Sequence, residues 1–169
     1  LGSRYKGFDT AIKAISNLVD LGHKEYYLEI VGGGDSIEIV NLIDQYNVSK
    51  YVRIVGTLPH PDGIFSWLDS IDIYLHPSRV EGLPRALIEA MSRACPCIGA
   101  NVGGIPELLE ENFLHEKDDY NRLSELVFKL KERNIAKEQS FNNLKKSNEY
   151  SKHNLDQKRT KFYKKAITL

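Results

Sequence analysis

The sequence predicts an α/β domain built on a parallel sheet. Short apolar runs of strand length alternate with stretches of helical periodicity, the connections are short, and glycine- or proline-bearing loops follow the strand-like runs. With 169 residues, 41% of them hydrophobic, the chain can form one domain with a real core. Residues 8–21 set Phe8, Ala11, Ile12, Ile15, Leu18 and Val19 on one helical face, and Gly22 suits the position just past the end. Residues 26–31 read as a strand, followed by Gly32-Gly33-Gly34 and a helix to about Tyr46. Residues 52–55, 71–75 and 96–99 read as further strands, with a helix after Pro84. A short helix near 106–110 and a brief edge strand at 113–114 follow. Beyond Asp118 the chain turns helical, then Lys/Asn-rich and weakly apolar, with little core of its own. Functional loops then fall at the C-terminal ends of strands, where open α/β sheets bind ligands.

The net charge is zero, but it is unevenly spread. Residues 129–169 hold 12 Lys+Arg against 4 Asp+Glu, a balance of +8, and the other 128 residues hold 11 against 19, a balance of −8. The basic part reads as a solvated helical face or as a surface for an anionic membrane. Nucleic-acid binding is not expected, because no basic motif interleaved with aromatics occurs. Cys95 and Cys97 make neither a disulfide framework nor a metal site, which fits a reducing, cytoplasmic setting. No signal peptide or membrane span is read. Leu1 opens the chain and Met91 is its only methionine, so a fragment or processed piece is expected.

The most informative stretch is Glu81-Gly-Leu-Pro-Arg-Ala-Leu-Ile-Glu89. Leu83, Ala86, Leu87, Ala90, Met91 and Ala94 form an apolar helical stripe, and Glu89 lies about 130° from its centre at 100° per residue. Pro84 suits the first helical position. No Ser, Thr, Asp or Asn stands in front, so the first-turn N–H groups are left for water or an outside anion. An open helix start with a carboxylate at its mouth and another along its side suits a sugar-bearing nucleotide.

Four other motifs have both a functional and a structural reading. Gly32-Gly33-Gly34 lets backbone approach a ligand, but Ile37 breaks the dinucleotide fingerprint and Asp35 with Glu38 forms a capping-box pattern. Lys6-Gly7 opens the first helix, where a lysine meets a diphosphate as a point charge and Arg4 could add a bidentate fork. His76-Pro77-Ser78 ends a strand, and His76 is either a site residue or a satisfied structural histidine. Gly103-Gly104-Ile105-Pro106-Glu107 is a turn that permits positive φ before a short helix. No His/Cys/Asp/Glu grouping has metal-ligand spacing, so no metal is expected.

Taken in order, Lys6-Gly7-Phe8-Asp9, Ile30 to Asp35, Val52 to Gly56, Asp72 to Ser78, Glu81…Glu89 and Gly103 to Glu107 resemble the C-terminal domain of a retaining group 1 (family 4) glycosyltransferase of the GT-B fold. The resemblance covers roughly residues 4–126. It implies a Rossmann-like parallel sheet flanked by helices, forming the donor-binding half of a two-domain enzyme. Residues 1–128 would be the nucleotide-sugar-binding domain with its first strand truncated. Residues 129–169 would be a basic helical segment packing on it or on an N-terminal acceptor domain. Glu81 and Lys6 take the catalytic roles: Glu81 meets hydroxyls of the transferred sugar, and Lys6 balances diphosphate charge. Glu89 holds the ribose. Gly82, Leu83 and Pro84 face sugar and diphosphate, joined by Arg4, Gly33, His76 and Gly104, and the base lies near Arg53 and Gly56.

The activity implied is transfer from a nucleotide sugar to a glycan, lipid-linked or other acceptor, without a metal or cofactor. Surface-polysaccharide assembly at the inner face of the membrane is the expected context, and the fragment alone is expected to be inactive. Two departures stand out. Arg4 and Lys6 are only two positions apart, and Ala94 or Cys95 replaces the glycine usual after the donor helix. A non-catalytic nucleotide-binding module and a nucleotide-sugar epimerase on the same fold remain as alternatives.

Overall fold

The computed structural model describes residues 4–167, with the Arg4 side chain outside the described part. The elements are α1 (Phe8–Asp20), β1 (Leu28–Val31), α2 (Ile37–Gln45), β2 (Val52–Gly56), α3 (Asp62–Leu68) and β3 (Tyr74–His76). They continue as α4 (Arg85–Ser92), β4 (Cys97–Ala100), β5 (Leu114–His115), α5 (Tyr120–Lys129), α6 (Arg133–Ser147) and α7 (Lys152–Ile167). Short 3-10 turns sit at Arg4–Lys6, Ile105–Glu107, Glu111–Phe113 and Asn148–Tyr150. Every strand pairing is parallel.

Strands and helices alternate as their periodicity requires. Helix α1 starts at Gly7, whose φ of 66° lies in the left-handed region, and buries Ala11, Ile12, Ala14, Ile15 and Leu18. Ile12, Ala14, Ile15 and Leu18 share one core with Ile30, Ile98, Leu123 and Leu126. A second core gathers Leu68, Leu87, Ala90, Met91, Cys97 and Ile105. The expected glycine after α4 is replaced by Ala94 without loss of the turn. Ala94 adopts φ 57° and donates to Met91 O at 3.0 Å, and Cys95 N donates to Ala90 O at 3.1 Å. A left-handed alanine costs roughly 1–2 kcal/mol, so the fold tolerates strain here to keep the turn.

The sheet is divided. β1 pairs with β2, β3–β4–β5 form a second sheet, and no ladder joins β1 to β3 among the described residues. Between these edges runs a cleft of about 1110 Å3, lined by Leu28 to Gly32, Ile71 to Leu75, and Phe8, Ala11 and Ile15 of α1. Glu29 helps to tie the halves together: Oε1 accepts from Arg53 Nη2 at 2.5 Å and Oε2 from Trp67 Nε1 of α3 at 2.7 Å.

The weakly apolar C-terminal stretch has two behaviours. Leu130 lies beyond the expected boundary at 128, yet it is buried in the core with α1. Helix α6 docks by hydrogen bonds. Gln139 Nε2 donates to Cys97 O at 2.5 Å, its Oε1 accepts from Cys97 N at 3.0 Å, and Asn143 Nδ2 donates to Cys95 O at 2.8 Å. Two buried amides thereby satisfy backbone groups at the start of β4. Helix α7 buries nothing and exposes Phe162, Tyr163 and Ile167.

Candidate functional site

Three loops meet at the C-terminal ends of β3 and β4. They are Lys6-Gly7 before α1, His76 to Leu83 after β3, and Gly103-Gly104 after β4. Their backbones touch where only glycine fits. A Cβ on Gly7 would lie 1.9 Å from Pro77 O, and one on Gly103 (φ 54°) would lie 1.9 Å from Glu81 O. Gly104 N donates to Gly82 O at 2.8 Å, and Arg79 N donates to Tyr5 O at 2.7 Å. The Arg79 guanidinium clamps the assembly, with Nη2 on Asp9 Oδ2 and Nε on Asp118 Oδ1, each at 2.6 Å. Burial works against the charge of Asp9, but the hydrogen bond and charge of Arg79 outweigh it and hold the carboxyl below its usual pKa.

Glu81 is the centre of the site. Its Oε1 accepts from Lys6 Nζ at 2.7 Å and lies 3.1 Å from His76 Nε2. Ser78 Oγ also lies 3.5 Å from His76 Nε2. Burial raises the Glu81 pKa, yet the donors Lys6, Ser78 and His76 together bring it below the usual value, so the carboxylate is ionised at neutral pH. His76 is buried, and desolvation lowers its pKa against the opposing pull of Glu81. Tyr74 OH lies 3.3 Å from His76 Nδ1, with the two rings stacked at 6.0 Å.

Helix α4 starts beside this carboxylate. Pro84 stands just ahead of the first helical residue in extended conformation (φ −77°, ψ 109°), so the helix opens at Arg85, one position later than the proline rule predicts. No side chain caps it. The first helical bond runs from Ile88 N to Pro84 O at 3.3 Å, so the N–H groups of Arg85, Ala86 and Leu87 have no helical acceptor and are left for water or an anion. Glu89, four positions in, has a side chain 33% exposed, lies 3.6 Å from His60 Nε2, and lines the cleft mouth with Gly32 and Leu58.

Of the residues singled out by sequence, Lys6, His76, Glu81, Gly82, Leu83, Pro84 and Gly104 are brought together, with Glu89 along the adjoining helix. Others stand apart. Gly33 is exposed, one step beyond the cleft-lining Gly32, and faces Thr57. Arg53 lies three positions before Gly56 on β2, about 10 Å back along the strand, with its guanidinium on Glu29. Gly56 ends β2 at φ 83° with open space beside it, and its carbonyl accepts from Gly32 N at 2.9 Å. The Arg4 side chain lies outside the described residues. Asp35 does not cap α2 in the expected box: Ser36 is the N-cap, and Asp35 Oδ1 accepts from Ile37 N at 2.9 Å. Arg79, Tyr74 and His60 were not foreseen from sequence. Arg79 finds carboxylates 70 and 39 positions away, which no local pattern signals. Among the described residues no three His, Cys, Asp or Glu side chains gather as a metal-binding group.

Residues 2–150 match the family described as glycosyl transferases group 1. The chain belongs to that family. Protein CapJ of Staphylococcus aureus is 32% identical over 167 residues, which cover 96% of this chain and 42% of CapJ. The C-terminal domain of the group 1 glycosyl transferase LpcC from Francisella tularensis superposes with a TM-score of 0.78 at 19% identity, covering 89% of this chain and 82% of that one. Anabaena HepE, solved in complex with UDP-glucose, superposes with a TM-score of 0.82 at 19% identity, covering 99% of this chain and 46% of HepE. This group 1 glycosyltransferase chain thus has the α/β fold of its structural neighbours and spans less than half of CapJ. None of its helices is long and apolar enough to cross a membrane, among the described residues.

Proposed function

We propose that this chain is the donor-binding half of a retaining, metal-independent glycosyltransferase that moves a sugar from a nucleotide sugar to a glycan, lipid-linked or other acceptor. The observation carrying this reading is the half-buried, ionised Glu81 beside the uncapped start of α4 and the lysine Lys6. Cleaving a sugar–phosphate bond develops negative charge on the diphosphate. Free N–H groups at a helix start and a lysine aimed there stabilise that charge in the transition state. Lys6 rests on Glu81 in the structure and shares its charge with the diphosphate when the donor arrives. Glu81 accepts hydrogen bonds from sugar hydroxyls, and Glu89 does so from the ribose. The base lies by the cleft mouth near Gly32 and Gly56. A relative in fold binding UDP-glucose supports the choice of donor class.

The test is to incubate the full-length protein with UDP-, GDP- and ADP-sugars and a chelator, following products by NMR. Sugar released or transferred with its anomeric configuration kept is expected. Inversion, a strict metal requirement, or an epimerised donor would contradict this reading.

The remaining parts follow from the same reading. Helix α7, with its lysines and exposed Phe162 and Tyr163, packs on the N-terminal acceptor domain or meets an anionic membrane at the inner face. A first strand, preceding α1 in the full-length protein, occupies the cleft between β1 and β3, and α1 then makes the right-handed crossover to β1. Leu28 N and Gly32 N donate into β2, so strand alternation points the amides of Glu29 and Val31 into the cleft. Tyr74 N donates towards β4, which turns the Leu75 amide the same way. In the full-length protein these three amides should exchange hydrogen as slowly as the paired amide of Ile30. Exchange at the rate of an open edge would refute the placement.

A further inference from the structure

Resting on the donor reading, we propose that His76, oriented by Tyr74, is a positioning residue that aims Glu81 at the transferred sugar. His76 is 7% exposed and the Glu81 side chain 13% exposed, so His76 stands behind the carboxylate, at the end of β3. Donor and acceptor capacity fix the proton positions. An ionised carboxylate only accepts, so the hydrogen bond between His76 Nε2 and Glu81 Oε1 requires the proton on Nε2. The imidazole is neutral, since burial lowers its pKa, so Nδ1 carries a lone pair and Tyr74 OH donates to it. The Tyr74 hydroxyl keeps its proton because burial raises its pKa. The result is a one-way chain of donors, Tyr74 to His76 to Glu81.

Lys6 cannot do the same work. Its side chain is 49% exposed and flexible, and the diphosphate competes for its charge. When Lys6 is drawn to the phosphates, the buried imidazole, itself 3.5 Å from Ser78 Oγ, is what keeps the carboxylate in place. Every titratable group facing His76 is accounted for in this scheme: Tyr74 from its own strand, Glu81 from the following loop, and Lys6 from the turn before α1.

The test uses the full-length protein carrying H76L, H76Q or Y74F, titrated with UDP and UDP-glucose, or with the GDP or ADP pair if the wild type prefers it. Because His76 acts through Glu81 on the sugar, H76L should weaken the nucleotide sugar at least tenfold and leave the nucleoside diphosphate within twofold. H76Q, whose amide can donate near the Nε2 position, should recover the nucleotide sugar to within threefold of wild type. Equal loss of both ligands, no loss of either, or a glutamine no better than leucine would overturn the proposal. A second measurement needs neither ligand nor a folded leucine variant. The 15N spectrum of histidine-labelled wild type at pH 7 should show the neutral Nε2–H tautomer for His76, with the tautomer kept in Y74F and the Nδ1 resonance shifted because its lone pair loses the Tyr74 donor. A charged imidazole or an Nδ1–H tautomer in the wild type overturns it outright. If the wild type binds neither ligand, the donor reading itself falls and takes this proposal with it, a result distinct from any of those above.

Discussion

Gly103→Ala is expected to lower nucleotide-sugar affinity at least tenfold and to destabilise the domain. Two independent effects act at this position. The backbone holds φ at 54°, where an L side chain is strained by roughly 1–2 kcal/mol. The added Cβ would also sit 1.9 Å from Glu81 O and 2.8 Å from Glu81 C, both backbone atoms with no flexible end to swing away. The two loops must therefore part. Moving the Glu81 peptide moves its carboxylate off Lys6 and His76 and loosens the turn that leads into α4. Thermal unfolding and calorimetric binding of the variant check this. A loss of about 2 kcal/mol corresponds to a melting temperature lower by roughly 4–8 °C in a domain of this size. An unchanged melting temperature with unchanged affinity would contradict the loop contact.

Glu89→Ala should weaken nucleotide binding roughly tenfold or more while leaving stability nearly untouched. Charge-assisted hydrogen bonds to a ribose contribute about 1.5–3 kcal/mol, and 1.4 kcal/mol is a factor of ten. The contrast with stability follows from exposure. Glu89 is one-third exposed, and its neighbour His60 is 61% exposed at the side chain, so truncation strands no buried partner. Binding and melting measured on the same variant separate the two effects. A dissociation constant equal to that of the wild type would remove Glu89 from the ribose.

Much of this site was readable before the structure because its signals are local. Of the stripe read from sequence, Leu87, Ala90 and Met91 prove buried and Ala94 half-buried, whereas Leu83, which precedes the helix, and Ala86 are exposed; the glycines at 103 and 104 lie shortly after a strand-like apolar run. Glu81 and Glu89 are eight positions apart, one in the loop leading into α4 and the other on that helix. What escaped notice depends on distance in sequence or on polar packing. Helix α3 has only seven residues, includes Gly63, and follows a proline-rich loop, so its period is too short to register. Helix α6 lacks an apolar stripe because Gln139 and Asn143 dock it by hydrogen bonds to Cys95 and Cys97. Arg79 reads as one more basic residue until the fold brings Asp9 and Asp118 to it. The divided sheet was equally hidden, since strand-like runs do not reveal which edges remain unpaired.

The central claim is that this chain holds a nucleotide-sugar donor through Glu89, the start of α4 and Lys6. Its most direct test is the calorimetric titration of the full-length protein with UDP, GDP and ADP in the presence of a chelator, the same assay that reads Glu89→Ala. The account predicts that one of the three binds with a submillimolar dissociation constant. Absence of binding by all three at millimolar concentration would contradict it.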